Sequence, residues 1–395
     1  MMTDKERILC ALSGAKPDRI PWVPRLEFWF RGNKHTNTLP AGFENLTLTQ
    51  VIEKLGVGTY ASIPDFTDVE ESGGLPDRTL GILRSKACPY EVVHGEGVER
   101  IITDVDGETI VEYKTPVGSI TTGHKFTEEM RECGVSTSYI TRHAINQPED
   151  IDVVGYLFSH LKVVPSLDGL LEHRDQVGNK GVVVAFTSGA SCPLQHIMRT
   201  LMTLESFYYA MADYPEKIFW LAEQMEGYYA GIKEIAVNSP AEVVLLGGNY
   251  DASMTYPEFF QEYILPPLKD YAELLHSKGK YLMTHTDGEN DGLMELYLET
   301  GFDIADSVCP KPMTRSTLEE VRAIFGDKIT IWGGIPAVYL CKDSCTWENF
   351  TKYVDDLLEK YGHESHFVLG VSDMVTADAE FDRLQYISEK VNALI

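Results

Sequence analysis

The chain has 395 residues, with 34 Lys plus Arg against 60 Asp plus Glu, a formal charge of −26. That balance excludes a general nucleic-acid binder, which needs a basic surface, and it disfavours docking on an anionic membrane. Hydrophobic residues make up 44% and charged residues 24%, an ordinary globular composition that excludes disorder on a large scale. No apolar run approaches the ~18 residues of a membrane span. The start, Met1-Met2-Thr3-Asp4-Lys5, lacks the basic and apolar regions of a signal peptide, so a cytoplasmic location is expected. Seven cysteines, at 10, 88, 133, 192, 309, 341 and 345, form no CxxC pair and read as reduced thiols. Cys341 and Cys345 could sit one helical turn apart, but no further ligand has metal spacing nearby.

In chain order, residues 21–24 and 58–63 are candidates for the first two strands. Residues 85–145 then break the pattern. There, 101–105 and 109–113 predict a hairpin turning across Asp106-Gly107. Beyond them, short apolar runs recur at 181–186, 242–246, 280–284, 302–305, 329–332 and 366–369. Their continuous Val/Ile/Leu character suits strands buried on both faces, as in a parallel sheet. Helical stretches lie between. Residues 204–237 hold at least one long helix, interrupted near Pro215. Residues 255–277 open with a capping box, Thr255 and Glu258, and stop at Gly279, with Pro266-Pro267 kinking or splitting the helix. Residues 316–325 open with Ser316 and Glu319 and stop at Gly326. Strands alternating with helices, without a Gly-rich phosphate fingerprint, predict an α/β fold of the (β/α)8 TIM-barrel type. We read residues 1–395 as one barrel domain, with 85–145 as a β-rich insertion that forms an excursion in the N-terminal half.

Active groups of a barrel lie just beyond the C-terminal ends of its strands. By that rule the mouth collects Asn249 and Asp251, His285 and Asp287, Asp306 and Cys309, and Ser372 and Asp373. His285 and Asp287, two apart at a strand end, can point to one side. They could bind a metal, serve as a general acid with its orienter, or form part of a solvated acidic loop that runs on to Asp291. Arg25 follows the first strand and could hold an anionic group, or pair with Glu27 or another loop carboxylate. The aromatic cluster Trp22, Phe28, Trp29 and Phe30 suits either a core or a pocket for a flat aromatic substrate.

Several segments resemble the uroporphyrinogen decarboxylase superfamily, which also holds cobalamin-dependent methyltransferases. The opening Lys5-Glu6-Arg7-Ile8-Leu9 with Pro17-Asp18-Arg19-Ile20-Pro21 is similar to the family's start. Thr115-Pro116-Val117-Gly118 resembles its excursion hairpin. Cys192-Pro193, Leu204-Glu205-Ser206-Phe207 and Asp213-Tyr214-Pro215-Glu216 resemble its middle. The thiol-directed methyltransferases of that superfamily bind zinc through a His-x-Cys-Gly motif and a later Cys. Here the corresponding segments read His285-Thr286-Asp287-Gly288 and Ser372-Asp373-Met374, so both zinc cysteines are replaced, by Asp287 and Asp373. A His/Asp/Asp set lacks the soft ligands suited to activating a thiol. The decarboxylases hold their substrate's carboxylates with arginines in an N-terminal segment, where this chain has Pro24-Arg25-Leu26-Glu27-Phe28-Trp29-Phe30. A polycarboxylate would also be repelled by a chain of charge −26 without a local basic site, and the sequence displays none.

What remains resembles the methyltransferase I component of anaerobic O-demethylase systems, on residues 22–29 and Thr38-Leu39-Pro40. The resemblance implies transfer of a methyl group from a phenyl methyl ether, of methoxyphenol type, to the Co(I) corrinoid of a separate partner protein. It implies His285, Asp287 and Asp373 as catalytic groups, the same three as ligands if zinc is present, and Arg25, Trp29, Asn249 and Asp251 as substrate-binding residues. Cobalamin would be carried by the partner corrinoid protein, and homo-oligomerisation is left open. The competing readings are a zinc-dependent thiol methyltransferase, a decarboxylase, and a non-catalytic corrinoid- or tetrapyrrole-binding protein.

Overall fold

A computed structural model describes residues 2–63, 77–82, 85, 87–135 and 137–394. Its largest sheet has seven parallel strands: Ala61–Ile63, Val183–Ser188, Val243–Gly248, Tyr281–His285, Ile304–Val308, Thr330–Ile335 and Phe367–Val371. Consecutive strands are neighbours throughout. The segment around Trp22 closes the sheet on itself. Val23 donates its N–H to Leu369 O (2.8 Å), Leu369 donates to Pro21 O (2.9 Å), and Gly58 donates to Trp22 O (2.9 Å). The result is an eight-stranded parallel barrel with helices outside.

Side-chain alternation follows from the strand period of two. Val184, Phe186, Val243, Leu245, Met283, Ile304, Trp332 and Val368 cluster in the barrel interior with Tyr60 and Val23. Val183, Ala185, Val244, Leu246, Leu282, Ala305, Ile331 and Leu369 face the helices in a second, larger core. Continuing the inward row by two residues places Ser188 after Phe186, Gly247 after Leu245, His285 after Met283 and Asp306 after Ile304. All four line one cavity at the C-terminal mouth.

The strands run about two residues further toward the mouth than the apolar runs suggest. Asp306 and Ser307 therefore belong to a strand rather than to the loop after it. The long helical stretch divides at Pro215 into Leu204–Asp213 and Pro215–Asn238, as the proline dictates. Two expected helix starts are corrected. Thr255 caps nothing: the helix begins at Pro257, and the Thr255 hydroxyl is buried without a partner. The third helix starts one residue later than read, with Thr317 as N-cap and Glu320 closing the capping box. At Pro266-Pro267 the helix splits, a π-helical turn Phe260–Ile264 giving way to Leu265–His276.

The excursion is an antiparallel sheet of Glu99–Val105, Glu108–Thr115, Gly118–Lys125 and Tyr139–Arg142. Its first turn has positive φ at Asp106 (51°) and Gly107 (76°), the pattern of a two-residue hairpin loop. A separate antiparallel pair joins Tyr90–His94 to Leu161–Pro165. Val111, Tyr113 and Ile120 are buried in the same core as the barrel's outer face.

Barrel closure rests on Trp22. It is 3% exposed and its indole N–H donates to Ser388 Oγ at 3.1 Å. Trp22→Ala should cost about 3–5 kcal/mol, the usual range for deleting a buried large aromatic side chain. Urea unfolding should show a correspondingly lower midpoint.

Candidate active site

The mouth cavity has a volume of about 400 Å³. One end is built on Asp306, 1% exposed at the middle of its strand. His285 Nδ1 donates to Asp306 Oδ2 at 2.7 Å, and Tyr60 OH donates to the same oxygen at 3.0 Å. The other imidazole nitrogen, Nε2, lies 3.5 Å from Asp373 Oδ1. Arg25 donates to that Asp373 oxygen at 2.9 Å, and its guanidinium stacks over the Tyr60 ring, 4.6 Å from the centroid. Arg25 thus pairs with Asp373, which follows the strand neighbouring its own segment.

Burial by itself would push the His285 pKa down. The Asp306 hydrogen bond and charge, with the charge of Asp373, outweigh it and hold the imidazole above its ordinary value. Burial would likewise raise Asp306. Its hydrogen bonds from His285 and Tyr60 and the charges of His285 and Arg25 prevail, so Asp306 stays below the usual carboxylate range. The two form a buried hydrogen-bonded imidazole–carboxylate pair in which Asp306 favours the charged form of the ring.

Asp287 completes the cluster. It accepts from Asn249 Nδ2 (3.3 Å) and from the Cys309 thiol (3.3 Å). Burial, with the Asp287 charge second, raises the Cys309 thiol, which keeps it protonated as a donor. Among the described residues, His285, Asp287 and Asp373 offer three donor atoms within 4.8 Å of one another. With Asp306 fixing Nδ1, Nε2 is free to act as a ligand, an arrangement familiar from metal-bound histidines. One imidazole and two carboxylates fit a divalent cation without soft-ligand preference. Arg25 already occupies one oxygen of Asp373.

The remaining residues read from the sequence fall in different places. Asn249, at φ 49°, links the cluster to Arg199, whose Nη2 donates to Asn249 Oδ1 at 3.1 Å. Asp251 does not line the cavity. It accepts from the N–H groups of Ser253 (2.9 Å) and Glu289 (3.1 Å) and so ties two mouth loops together. Trp29 is also corrected from pocket to core. It is 1% exposed, donates to Ala379 O at 3.1 Å and stacks on Phe381. Its neighbour on the helix, Phe28, is the aromatic that reaches the cavity.

Sequence reading placed Asp306 at the mouth without giving it a role, and missed Tyr60, Arg78, His196 and Arg199 as site residues. Tyr60 and Asp306 carried a usable signal, since Asp306 lies on the inward row of its strand and Tyr60 immediately before another. Arg78, His196 and Arg199 lie off the strands and carried none. With Arg25, the arginines make three in the cavity lining, which corrects the expectation of no local basic site.

Residues 117–394 match the uroporphyrinogen decarboxylase (URO-D) family. The chain belongs to that family. Its fold is similar to a methyltransferase from Methanosarcina mazei, with 12% sequence identity and a TM-score of 0.52 over 100% of this chain and 99% of that one. No curated protein sequence matches it. In this URO-D family member no helix among the described residues is long and apolar enough to cross a membrane.

His196 bounds the cavity as a neutral group. Its Nε2–H donates to Leu80 O (2.9 Å), so Nδ1 accepts from Tyr229 OH (3.1 Å). Burial pushes its pKa down to about 4, with Arg199 and Arg78 adding to the effect. An unfolded histidine takes up its proton near pH 6.5, so folding opposes protonation between 6.5 and 4. This contribution to stability is complete above pH 6.5 and declines by on the order of 3 kcal/mol as pH falls to 4. The stability advantage of wild type over His196→Gln, measured by urea unfolding, should shrink by that order between pH 7 and pH 4.

Proposed function

We propose that this URO-D family member is a methyltransferase that takes the methyl group of a phenyl methyl ether, with a corrinoid on a separate docked protein as acceptor. The observation that carries the reading is the geometry at Asp306. Its buried carboxylate holds His285 by Nδ1 and leaves Nε2 at the cavity beside Asp373. The likeness in fold to a protein described as a methyltransferase supports it, as does the absence of a cysteine from positions 287 and 373.

An unactivated aryl ether is hard to cleave because phenolate leaves poorly. Co(I) corrinoid supplies the nucleophile when the partner docks over the mouth. The chain's part is to move a proton. As the methyl carbon–oxygen bond breaks, its electron pair stays on oxygen, and the Nε2–H of His285 passes to that oxygen to release a phenol. Asp306 orients the ring and stabilises its charged form before transfer. Asp373, held by Arg25, stands beside the donor nitrogen. Tyr60, Phe186 and Phe28 give the cavity the aromatic walls that suit a flat ring. A divalent cation held by His285 Nε2, Asp287 and Asp373 would supply a Lewis acid at the same oxygen instead.

Demethylation of a methoxyphenol panel with reduced corrinoid protein, followed by the cobalt spectrum, tests the activity. His285→Gln and Asp306→Asn should each lower kcat by about 10²- to 10⁴-fold, the usual contribution of a general acid. The wild-type rate should fall on the alkaline side as His285 loses its proton. Asp306→Asn should move that fall to lower pH, because the interaction raising the pKa is gone. Asp287, held by Asn249 and Cys309 within 4.8 Å of the His285 and Asp373 donor atoms, contributes charge beside the proton donor. Asp287→Ala should lower turnover at least tenfold while circular dichroism shows the fold intact, and near-normal turnover would remove Asp287 from the reaction.

Turnover should also survive dialysis against a strong chelator. Complete loss restored by added zinc would make the two aspartates ligands and displace His285 as the acid.

A further inference from the structure

The second end of the cavity holds two arginines that, among the described residues, form no ion pair with a carboxylate. Arg199 lies on the π-helical turn Ile197–Leu201. Its guanidinium donates to Gly189 O (2.5 Å), Gly248 O (2.9 Å) and Asn249 Oδ1 (3.1 Å), all uncharged acceptors. Arg78 lies on the short 3-10 turn Arg78–Leu80. No hydrogen bond or ion pair is made by its side chain among the described residues, and its Nε is buried without a partner. Both line the cavity.

Their placement is built, not incidental. Asp77, immediately before Arg78, is 1% exposed and fully engaged: it accepts from Tyr113 OH (3.0 Å), Arg100 (2.7 Å) and His94 (3.1 Å). Asp77 therefore anchors the turn to the excursion sheet and cannot also serve Arg78. On the other side His196 holds the turn through Leu80 O, and Gly81 leaves room for that ring: a Cβ there would lie 2.2 Å from His196 Nε2. Burying a guanidinium without a counter-charge is costly. Burial and the charge of Arg199 both make it harder for Arg78 to stay ionised. A chain with 60 acidic residues could have supplied a partner and, among the described residues, does not.

We propose that Arg78 and Arg199 form an anion-binding subsite that holds a carboxylate of the substrate, while its methyl group lies toward His285. That the anion carries a methyl group rests on the methyl-transfer reading above; the subsite itself does not. The substrate class is then an aromatic acid bearing a methoxy group rather than a neutral methoxyphenol. Arginine suits a carboxylate because its planar fork presents paired donors to two oxygens.

Calorimetric titration without corrinoid tests the subsite. The probes are the three methoxybenzoate isomers, the corresponding methoxybenzamides and phenyl phosphate. At least one acid should bind wild type tenfold or more tightly than its amide. Arg78→Gln should erase that preference with an unchanged or higher Tm, since the side chain makes no bond in the free protein. Arg78→Lys should restore part of it. Equal binding of acid and amide by wild type, or an unchanged preference in Arg78→Gln, would overturn the proposal. Tighter binding of phenyl phosphate than of every acid would overturn the carboxylate assignment. An acid that binds through Arg78 but yields no methyl transfer to reduced corrinoid protein would uphold the subsite and sink the ether reading.

Discussion

One buried charge organises this site. Asp306 sits buried in the middle of a barrel strand, where an isolated carboxylate would be prohibitively costly. Tyr60 from just before the strand Ala61–Ile63, His285 from the neighbouring strand and, through charge, Arg25 from the loop after the closing segment all converge on it. Each partner is then fixed by satisfying Asp306. His285 keeps one ring nitrogen for the cavity, Tyr60 presents a face to Arg25, and Arg25 reaches Asp373. The barrel must be closed for this to work, because Arg25 is delivered by the same segment whose backbone bonds to Leu369 and Gly58.

The cavity is polarised against the character of the whole chain. The formal charge of −26 sets the field that a partner meets at long range. Inside, screening by water is reduced, and a few groups at short range decide what can enter. His285, Asp306 and Asp373 gather at one end with Asp287 close beside them, whereas Arg78 and Arg199 occupy the other with only uncharged or distant company. Asn249 connects the two, donating to Asp287 and accepting from Arg199. Its left-handed backbone places both ends of a single amide between the opposed charges.

The excursion takes part in this arrangement. Its strands bury Tyr113 and Val111 against the barrel core, and the Tyr113–Asp77–Arg100 network sets the turn that carries Arg78. An insertion that breaks the strand–helix alternation thus fixes a side chain at the mouth, which the barrel strands by themselves could not supply.

The barrel was legible in the sequence because parallel strands buried on both faces must be apolar throughout, and Pro and Gly mark the breaks between them. The cluster of His285, Asp287 and Asp373 was readable for a related reason: each stands within a few residues of such a run's C-terminal end, where barrel chemistry collects. Asp306 was in view but misplaced. Apolar runs end where polar side chains begin, while backbone pairing continues, so a polar residue that completes a strand looks like a loop. Trp29 and Asp251 erred in the opposite sense, because an aromatic or a carboxylate near a mouth has the same local pattern whether it packs, ties loops or meets a ligand. Arg78, His196 and Arg199 lie on short turns with no periodic signature. Only tertiary packing decided that these distant turns meet at one cavity, since a side chain's partners across it depend on contacts between segments more than a hundred residues apart.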